Sequence, residues 1–276
     1  MARILSYSDK GSFIHSLSGT TKLLYFLLWS LVGMITYDTR ILLFMLVASL
    51  AAFSVSRVPF GDVSLVLKMI LAVLSINLIA IYLFSPEQGV EIYGHRTELG
   101  HLFGRYDLTS EQLFYEVNVA LKYFTIIPVV LLFVLTTNPS EFASSLNKIG
   151  ISYKISYSVA ITLRYIPDMQ RDYITVSKAQ QARGIDITSK KISLLKRIKN
   201  VAAILLPLFF SSMERIETIS NALELRGFGK KNKRTWYAAR KFRKRDFVMV
   251  LSLLAFVTIA FIITFYDGSR FYNPFI

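Results

Sequence analysis

Residues Phe247 to Tyr266 read FVMVLSLLAFVTIAFIITFY, twenty residues without a charge. Crossing the roughly 30 Å hydrocarbon core of a bilayer as a helix takes about 20 mostly apolar residues, because the segment must satisfy its own backbone polar groups. This stretch is long enough to span alone, and its neighbours extend the pattern. Of the 276 residues, 53% are hydrophobic and only 18% charged, an apolar excess that soluble domains seldom carry. Four more runs qualify as spans. Leu23 to Tyr37 and Ile41 to Val58 are each slightly short and are parted only by Asp38, Thr39 and Arg40, which fits a tight helical hairpin. A third runs from about Val63 to Phe84 and contains Lys68 and Asn77; a fourth, Val117 to Thr136, holds Lys122 near its start and Pro128 in its middle. The expected fold class is all-α, a polytopic membrane protein with about five transmembrane helices and a helical cytoplasmic domain.

Charge orients the spans. Lys and Arg number 32 against 18 Asp and Glu, a net +14, and residues 137–246 alone hold 22 of the basic and 8 of the acidic side chains. The whole excess therefore lies in one internal block, and basic loops are retained on the cytoplasmic side. Five spans then place the amino terminus inside with Arg3, Lys10 and Lys22, and the short loop at Arg57 inside as well. The Ser85 to Glu116 loop falls outside with Glu87, Glu91, Glu98, Asp107, Glu111 and Glu116 against Arg96 and Arg105; the carboxyl end, with Asp267 and Arg270, is also outside. The division expected is a membrane part at 1–136, a cytoplasmic part at 137–246, and a last span with an outer tail at 247–276. Met1 to Lys22 carries Arg3, Asp9, Lys10, His15 and Lys22 and does not read as a cleaved leader. Cysteine is absent, which excludes disulfides, thiolate metal sites and a cysteine nucleophile.

The basic block opens with Asn138-Pro139-Ser140-Glu141: an Asn cap, a proline at the first helical position and a carboxylate near the positive end of the dipole. Gly150 is the expected stop, and Phe142, Leu146 and Ile149 give this short helix one apolar face for the membrane surface or another helix. A second helix is expected from about Tyr153 to Tyr165, broken or kinked at Pro167, with a polar stretch from Asp168 to Arg183 behind it. Another starts near Lys196, is interrupted by Pro207 and stops at Gly227. The two stops match: Ala179-Gln-Gln-Ala182-Arg183-Gly184 and Ala222-Leu-Glu-Leu225-Arg226-Gly227 both read Ala-x-x-x-Arg-Gly. A glycine just past a helix supplies the left-handed stop, and an arginine in the last turn complements the dipole. Twice over in one insert, the pattern also presents a planar guanidinium at each of two rigid tips, suited to forking onto a partner's carboxylate.

At these residues the chain resembles the transmembrane T component of energy-coupling factor transporters, the micronutrient importers of prokaryotes. The resemblance extends to Leu163-Arg164-Tyr165-Ile166-Pro167 before the first motif and Leu206-Pro207 before the second; Leu225 departs from the family's alanine. It implies a scaffold in the prokaryotic inner or plasma membrane, with the amino terminus and coupling domain cytoplasmic. Such a scaffold holds a small membrane-embedded substrate-binding S component and rests on two ABC-type ATPase subunits. Ala182, Arg183, Gly184 and Leu225, Arg226, Gly227 would be the ATPase-binding ends of two coupling helices. The chain itself would bind no cofactor, with ATP and Mg on the partner ATPases. In keeping with a motorless subunit, no Gly-x-x-x-x-Gly-Lys string followed by Ser or Thr occurs; Gly19-Thr20-Thr21-Lys22 is not one.

Rival signals read more plainly. The basic run Lys230 to Arg245, with Trp236, Tyr237 and Phe242 interleaved, has a composition that binds nucleic acid or anionic lipid. Its place beside a span favours a positive-inside anchor on lipid headgroups over nucleic acid. His95 and His101, near Glu91 and Glu98, lack metal-ligand spacing, and no hydrolase motif supports an enzyme. Asn77 is expected in an interhelical hydrogen bond, Lys68 and Lys122 to snorkel, and Glu214, Glu217, Arg164 and Asp168 to form intrahelical pairs.

Overall fold

The computed structural model describes residues 11–103, 106–185, 193–230, 234–237, 239–266 and 268–275. Arg3, Asp9, Lys10, Arg105, Asp267 and part of the 230–245 basic run lie outside them. In chain order the elements are α1 (Phe13–Ser16), α2 (Gly19–Ile35), α3 (Thr39–Val55), α4 (Phe60–Phe84), α5 (Gln88–Tyr93), β1 (Glu98–Phe103), β2 (Tyr106–Thr109), α6 (Ser110–Thr136), α7 (Pro139–Lys148), α8 (Tyr153–Ala182), α9 (Leu194–Leu225) and α10 (Lys244–Phe265). Two compact units result: Met1–Glu141 with Arg240–Ile276, and Phe142–Ala239.

In the first unit, the helices around α4, α6 and α10 are long and apolar enough to cross a membrane, while α2 and α3 are apolar but only 17 residues each. At 1.5 Å per residue these two reach about 26 Å, just short of a typical hydrocarbon core. The hairpin between them is as tight as its sequence suggests. Asp38 caps α3 by accepting the Arg40 N–H at 2.9 Å, and the Arg40 guanidinium pairs back onto it at 2.8 Å. Helix α6 packs against α2, α3, α4 and α5, and α10 packs on α2. Trp29, Val32, Ile41, Met45, Leu253 and Ala260 form one buried cluster; Val63, Leu131 and Leu135 form another. Close approach of α2 and α6 depends on Gly33, where a Cβ would come within 3.2 Å of the Ile126 side chain.

Several expectations change in this unit. Helix α6 begins at Ser110 rather than Val117, because Thr109 accepts the Gln112 N–H and starts the helix two turns before its apolar part. Hydropathy marks the portion of a helix that suits lipid, not its hydrogen-bonded ends. The Ser85 to Glu116 segment is not a plain loop: it contains α5 and the antiparallel pair β1–β2. Asn77 makes no side-chain hydrogen bond among the described residues. Helix α4 touches the bundle mainly through α6. Lys122 Nζ donates to the Met34 carbonyl at 2.9 Å and lies 3.0 Å from the Tyr37 ring centroid. The tail folds back towards the carboxyl ends of α2 and α5, with Phe271 bridged to Tyr37 and Asn273 Nδ2 donating to the Tyr93 carbonyl at 3.0 Å.

Helix α7 begins at the end of the first unit's sequence as predicted, with Asn138 accepting the Ser140 N–H at 3.0 Å. It ends at Gly150, whose φ of 108° only glycine adopts readily. The long helices α8 and α9 make up most of the second unit.

Candidate functional site

Ser152 and Ser193 cap α8 and α9, accepting the N–H groups of Ile155 and Lys196. From there α8 runs for 30 residues and α9 for 32, about 45 and 48 Å at 1.5 Å per residue. The break expected at Pro167 does not occur, and neither helix begins near its proline: both prolines sit in helix interiors. A proline deprives the carbonyl four residues earlier of its partner. For Pro207 that carbonyl belongs to Ala203, and Gln180 Nε2 of α8 donates to it at 3.1 Å. The second helix thus passes its proline with help from the first.

Further contacts fix how the two helices meet. Ser212 Oγ lies 3.4 Å from Met169 Sδ, and Arg215 pairs with Asp172 at 2.7 Å. Gln180 meets Ala203 while Met169 meets Ser212, so the helices pass in opposite senses and their carboxyl ends emerge on opposite sides of the contact. The Asp172–Arg215 pair escaped sequence reading because it joins two helices. Of the expected intrahelical pairs, Asp168 pairs with Arg171 at 3.6 Å, and Arg164, Glu214 and Glu217 form no ion pair among the described residues.

Both tips end in the same hydrogen-bonded turn. Gly184 has φ 82° and Gly227 φ 65°. Ile185 N–H reaches back to the Gln180 carbonyl at 3.0 Å, and Phe228 N–H to the Leu223 carbonyl at 2.9 Å. Gly184 N–H bonds the Gln181 carbonyl and Gly227 N–H that of Glu224, at 2.9 and 2.8 Å. This is the six-to-one and five-to-two pattern of a glycine-terminated helix. Ala182, Arg183, Gly184, Leu225 and Arg226 are exposed, Gly227 half-buried, and Leu225 is 90% exposed. Neither guanidinium has a side-chain partner among the described residues, so each tip offers five fixed N–H donors to an external acid.

The tips differ in what stands behind them. Arg234 donates to the carbonyls of Arg226 and Gly227, both at 2.9 Å. Phe228 packs against Tyr157 and Tyr153 with ring centroids 4.9 and 5.8 Å apart, and Trp236 lies 5.3 Å from Tyr153. Trp236 Nε1 donates to Asn147 Oδ1 at 3.1 Å. Trp236, one of the aromatics interleaved in the basic run, is therefore occupied internally, whereas Tyr237 is fully exposed.

Elsewhere, His101 hydrogen-bonds Asp107 in the β1–β2 hairpin, and Arg96 binds Asp107, Glu98 and Glu87. The His101 hydrogen bond holds the Asp107 carboxyl below its ordinary range. Among the described residues no group of three or more His, Cys, Asp or Glu is placed to hold a metal.

Three helices long and apolar enough to cross a membrane, followed in the chain by two long helices that pass in opposite senses, define a helical membrane protein. The family described as CbiQ, cobalt transport protein, matches residues 10–237, and the chain belongs to it. It is also similar to proteins named energy-coupling factor transporter transmembrane protein EcfT. That of Limosilactobacillus fermentum is 30% identical over 77% of this chain and 81% of its own length. Those of Lactococcus lactis subsp. cremoris and Exiguobacterium sibiricum are 28% and 26% identical, covering 90% and 88% of this chain and 92% of each relative. The chain is thus a multi-pass transmembrane T component of the energy-coupling factor type.

Proposed function

We propose that this subunit couples ATP hydrolysis by two separate ABC-type ATPases to re-orientation of a small membrane-embedded S component, which carries a vitamin or metal ion inward. The observation that supports this most is the paired tip: two exposed arginines, Arg183 and Arg226, each on an identical glycine-terminated helix end, facing away from their crossing. Each arginine anchors one ATPase through a carboxylate, and the bare Leu225 side chain adds apolar area to the second contact. ATP and Mg sit on the ATPases, and this chain performs no chemistry of its own. ATP-driven closure moves the tips, and the two states must differ in their contacts for the motion to be transmitted. The amino terminus and the helical unit at 142–239 face the cytoplasm, as the basic excess demands.

A tagged pull-down from native membranes, read by mass spectrometry, tests this. The unsubstituted chain is expected to recover two ATPases and a small hydrophobic protein, and Arg183→Glu with Arg226→Glu is expected to lose the ATPases while still inserting. Equal recovery by the double variant would overturn the proposal.

A further inference from the structure

Helix α3 packs on α6, and α10 packs on α2. Between α3 and α10 lies a groove of about 920 Å³, walled by Ile41 and Phe44 on one side and by Phe256, Ile259 and Ile263 on the other. It follows α10 from Ser252 to Tyr266, about 21 Å at 1.5 Å per residue, which is longer than one leaflet of a 30 Å hydrocarbon core. Its wall is open, with Phe44 59% and Ile259 55% exposed. The Ser252 hydroxyl is spent on the Met249 carbonyl at 2.8 Å. Other polar side chains line the groove only where α3 begins and α10 stops, at Arg40 and Tyr266.

Charge complements this shape. Arg40 is held in place: its Nε and Nη2 donate to Asp38 at 3.1 and 2.8 Å, and its Cζ lies 4.2 Å from the Tyr272 ring centroid. Those bonds use two of the five donors of a guanidinium, and the side chain stays 56% exposed against 4% for Asp38. Asp38 in turn caps the positive end of α3. Lys122 and Arg270 gather on the neighbouring Tyr37 ring, 3.0 and 5.5 Å from its centroid, and neither has an ion pair among the described residues. Around the α2–α3 hairpin three cations therefore stand with one acid.

We propose that this groove binds an acyl chain of an anionic phospholipid whose phosphate is held by Arg40, with Tyr266 beside the headgroup. A partner helix would use the apolar wall and leave the positive mouth unanswered; a phospholipid uses both. The guanidinium fork matches phosphate oxygens, and tyrosine settles at headgroup level. The surrounding positive charge favours a headgroup of net negative charge over a zwitterionic one. The site depends on the chain crossing a membrane and not on the transport cycle.

One of the two tryptophans reports on the groove. Trp29 stacks on Phe256 at 5.0 Å, and Phe44 on the same ring at 5.5 Å. The full chain carrying Trp236→Phe is reconstituted in phosphatidylcholine vesicles, and Trp29 fluorescence is titrated with phosphatidylglycerol bearing brominated acyl chains or with equally brominated phosphatidylcholine. Phosphatidylglycerol is expected to bind about fivefold more tightly, the effect of one basic side chain at a headgroup. Arg40→Gln removes the charge, and Ala255→Phe fills the groove while leaving Arg40 in place. Each is expected to bring the ratio below about twofold. Equal quenching by the two lipids without these substitutions would mean an ordinary lipid boundary only and would overturn the site. So would quenching by neither, the sign of a groove closed by a second copy or another helix, and so would a preference that survives either substitution. Should Arg40→Gln fail to insert, Ala255→Phe decides alone by the same criterion.

Discussion

The tips at Arg183 and Arg226 share one local structure and have different foundations. At each, a left-handed glycine and the same two backward N–H bonds end the helix. Behind Arg226 stand Arg234 on two carbonyls and a cluster of Tyr153, Tyr157, Phe228 and Trp236. Behind Arg183, the described residues show Gln180, whose side chain reaches across to α9 rather than to its own tip. A helix end is thus set by a handful of adjacent residues, whereas its rigidity comes from whatever else the fold delivers. Among the described residues, the second tip is held by side chains that pack directly behind it, and the first by the contact of its helix with α9.

The largest expected effect would break the comparison outright. Arg183→Glu and Arg226→Glu, made singly, should each remove about half of the recovered ATPase, as a hot-spot arginine does when its charge is reversed. Quantitative mass spectrometry checks this, and a single substitution that removes everything would show that the tips do not act independently.

Next in size is Trp236→Ala. Losing a half-buried indole, its ring contacts and the bond to Asn147 should cost about 2 kcal/mol. In hydrogen exchange the Phe228 amide should speed up while the Ile185 amide stays unchanged; parallel acceleration would mean the two foundations are shared.

Gly184→Ala and Gly227→Ala should each cost about 1–2 kcal/mol, since both force an L residue into the left-handed region. Open space at Gly184 and ordinary contact at Gly227 leave backbone strain as the only difference from glycine, so equal costs in denaturant melts are expected. Gln180→Ala should cost about 1 kcal/mol by leaving the Ala203 carbonyl unpartnered. It should loosen the amides around Pro207 before those at Gly227. The smallest effect belongs to Leu225→Ala, which makes the second tip match the first. A side chain so exposed should change stability by less than about 0.5 kcal/mol, leaving any change in ATPase recovery as a direct reading of its contact.

Much of this was legible in the residues. The last span was visible because lipid accepts only long uncharged stretches, and the spans at 63–84 and 23–58 for the same reason. Gly150, Gly184 and Gly227 were legible as stops because positive φ is a property of one residue. The start of α6 was not, since Thr109 acts through a hydrogen bond and not through hydropathy. Nor was the partner of Lys122, because the carbonyl it binds belongs to Met34, 88 positions earlier in the chain. The packing of Trp236 was not legible either, because composition places it among lysines and arginines, whereas the fold places it among tyrosines.

By itself the sequence determined that this protein lives in a membrane, that its positive charge gathers in one insert, and that the insert ends two helices in Arg-Gly. Each of these depends on residue type over a few consecutive positions. Tertiary structure alone decided that α9 continues through Pro207, since the carbonyl that proline frees is satisfied by Gln180 of another helix. It alone decided which tip is braced, and that Glu141 and Asp246 meet on one turn of α2. Hydrogen bonds between distant residues leave no mark in local pattern, because their partners are chosen by the packing of the whole chain.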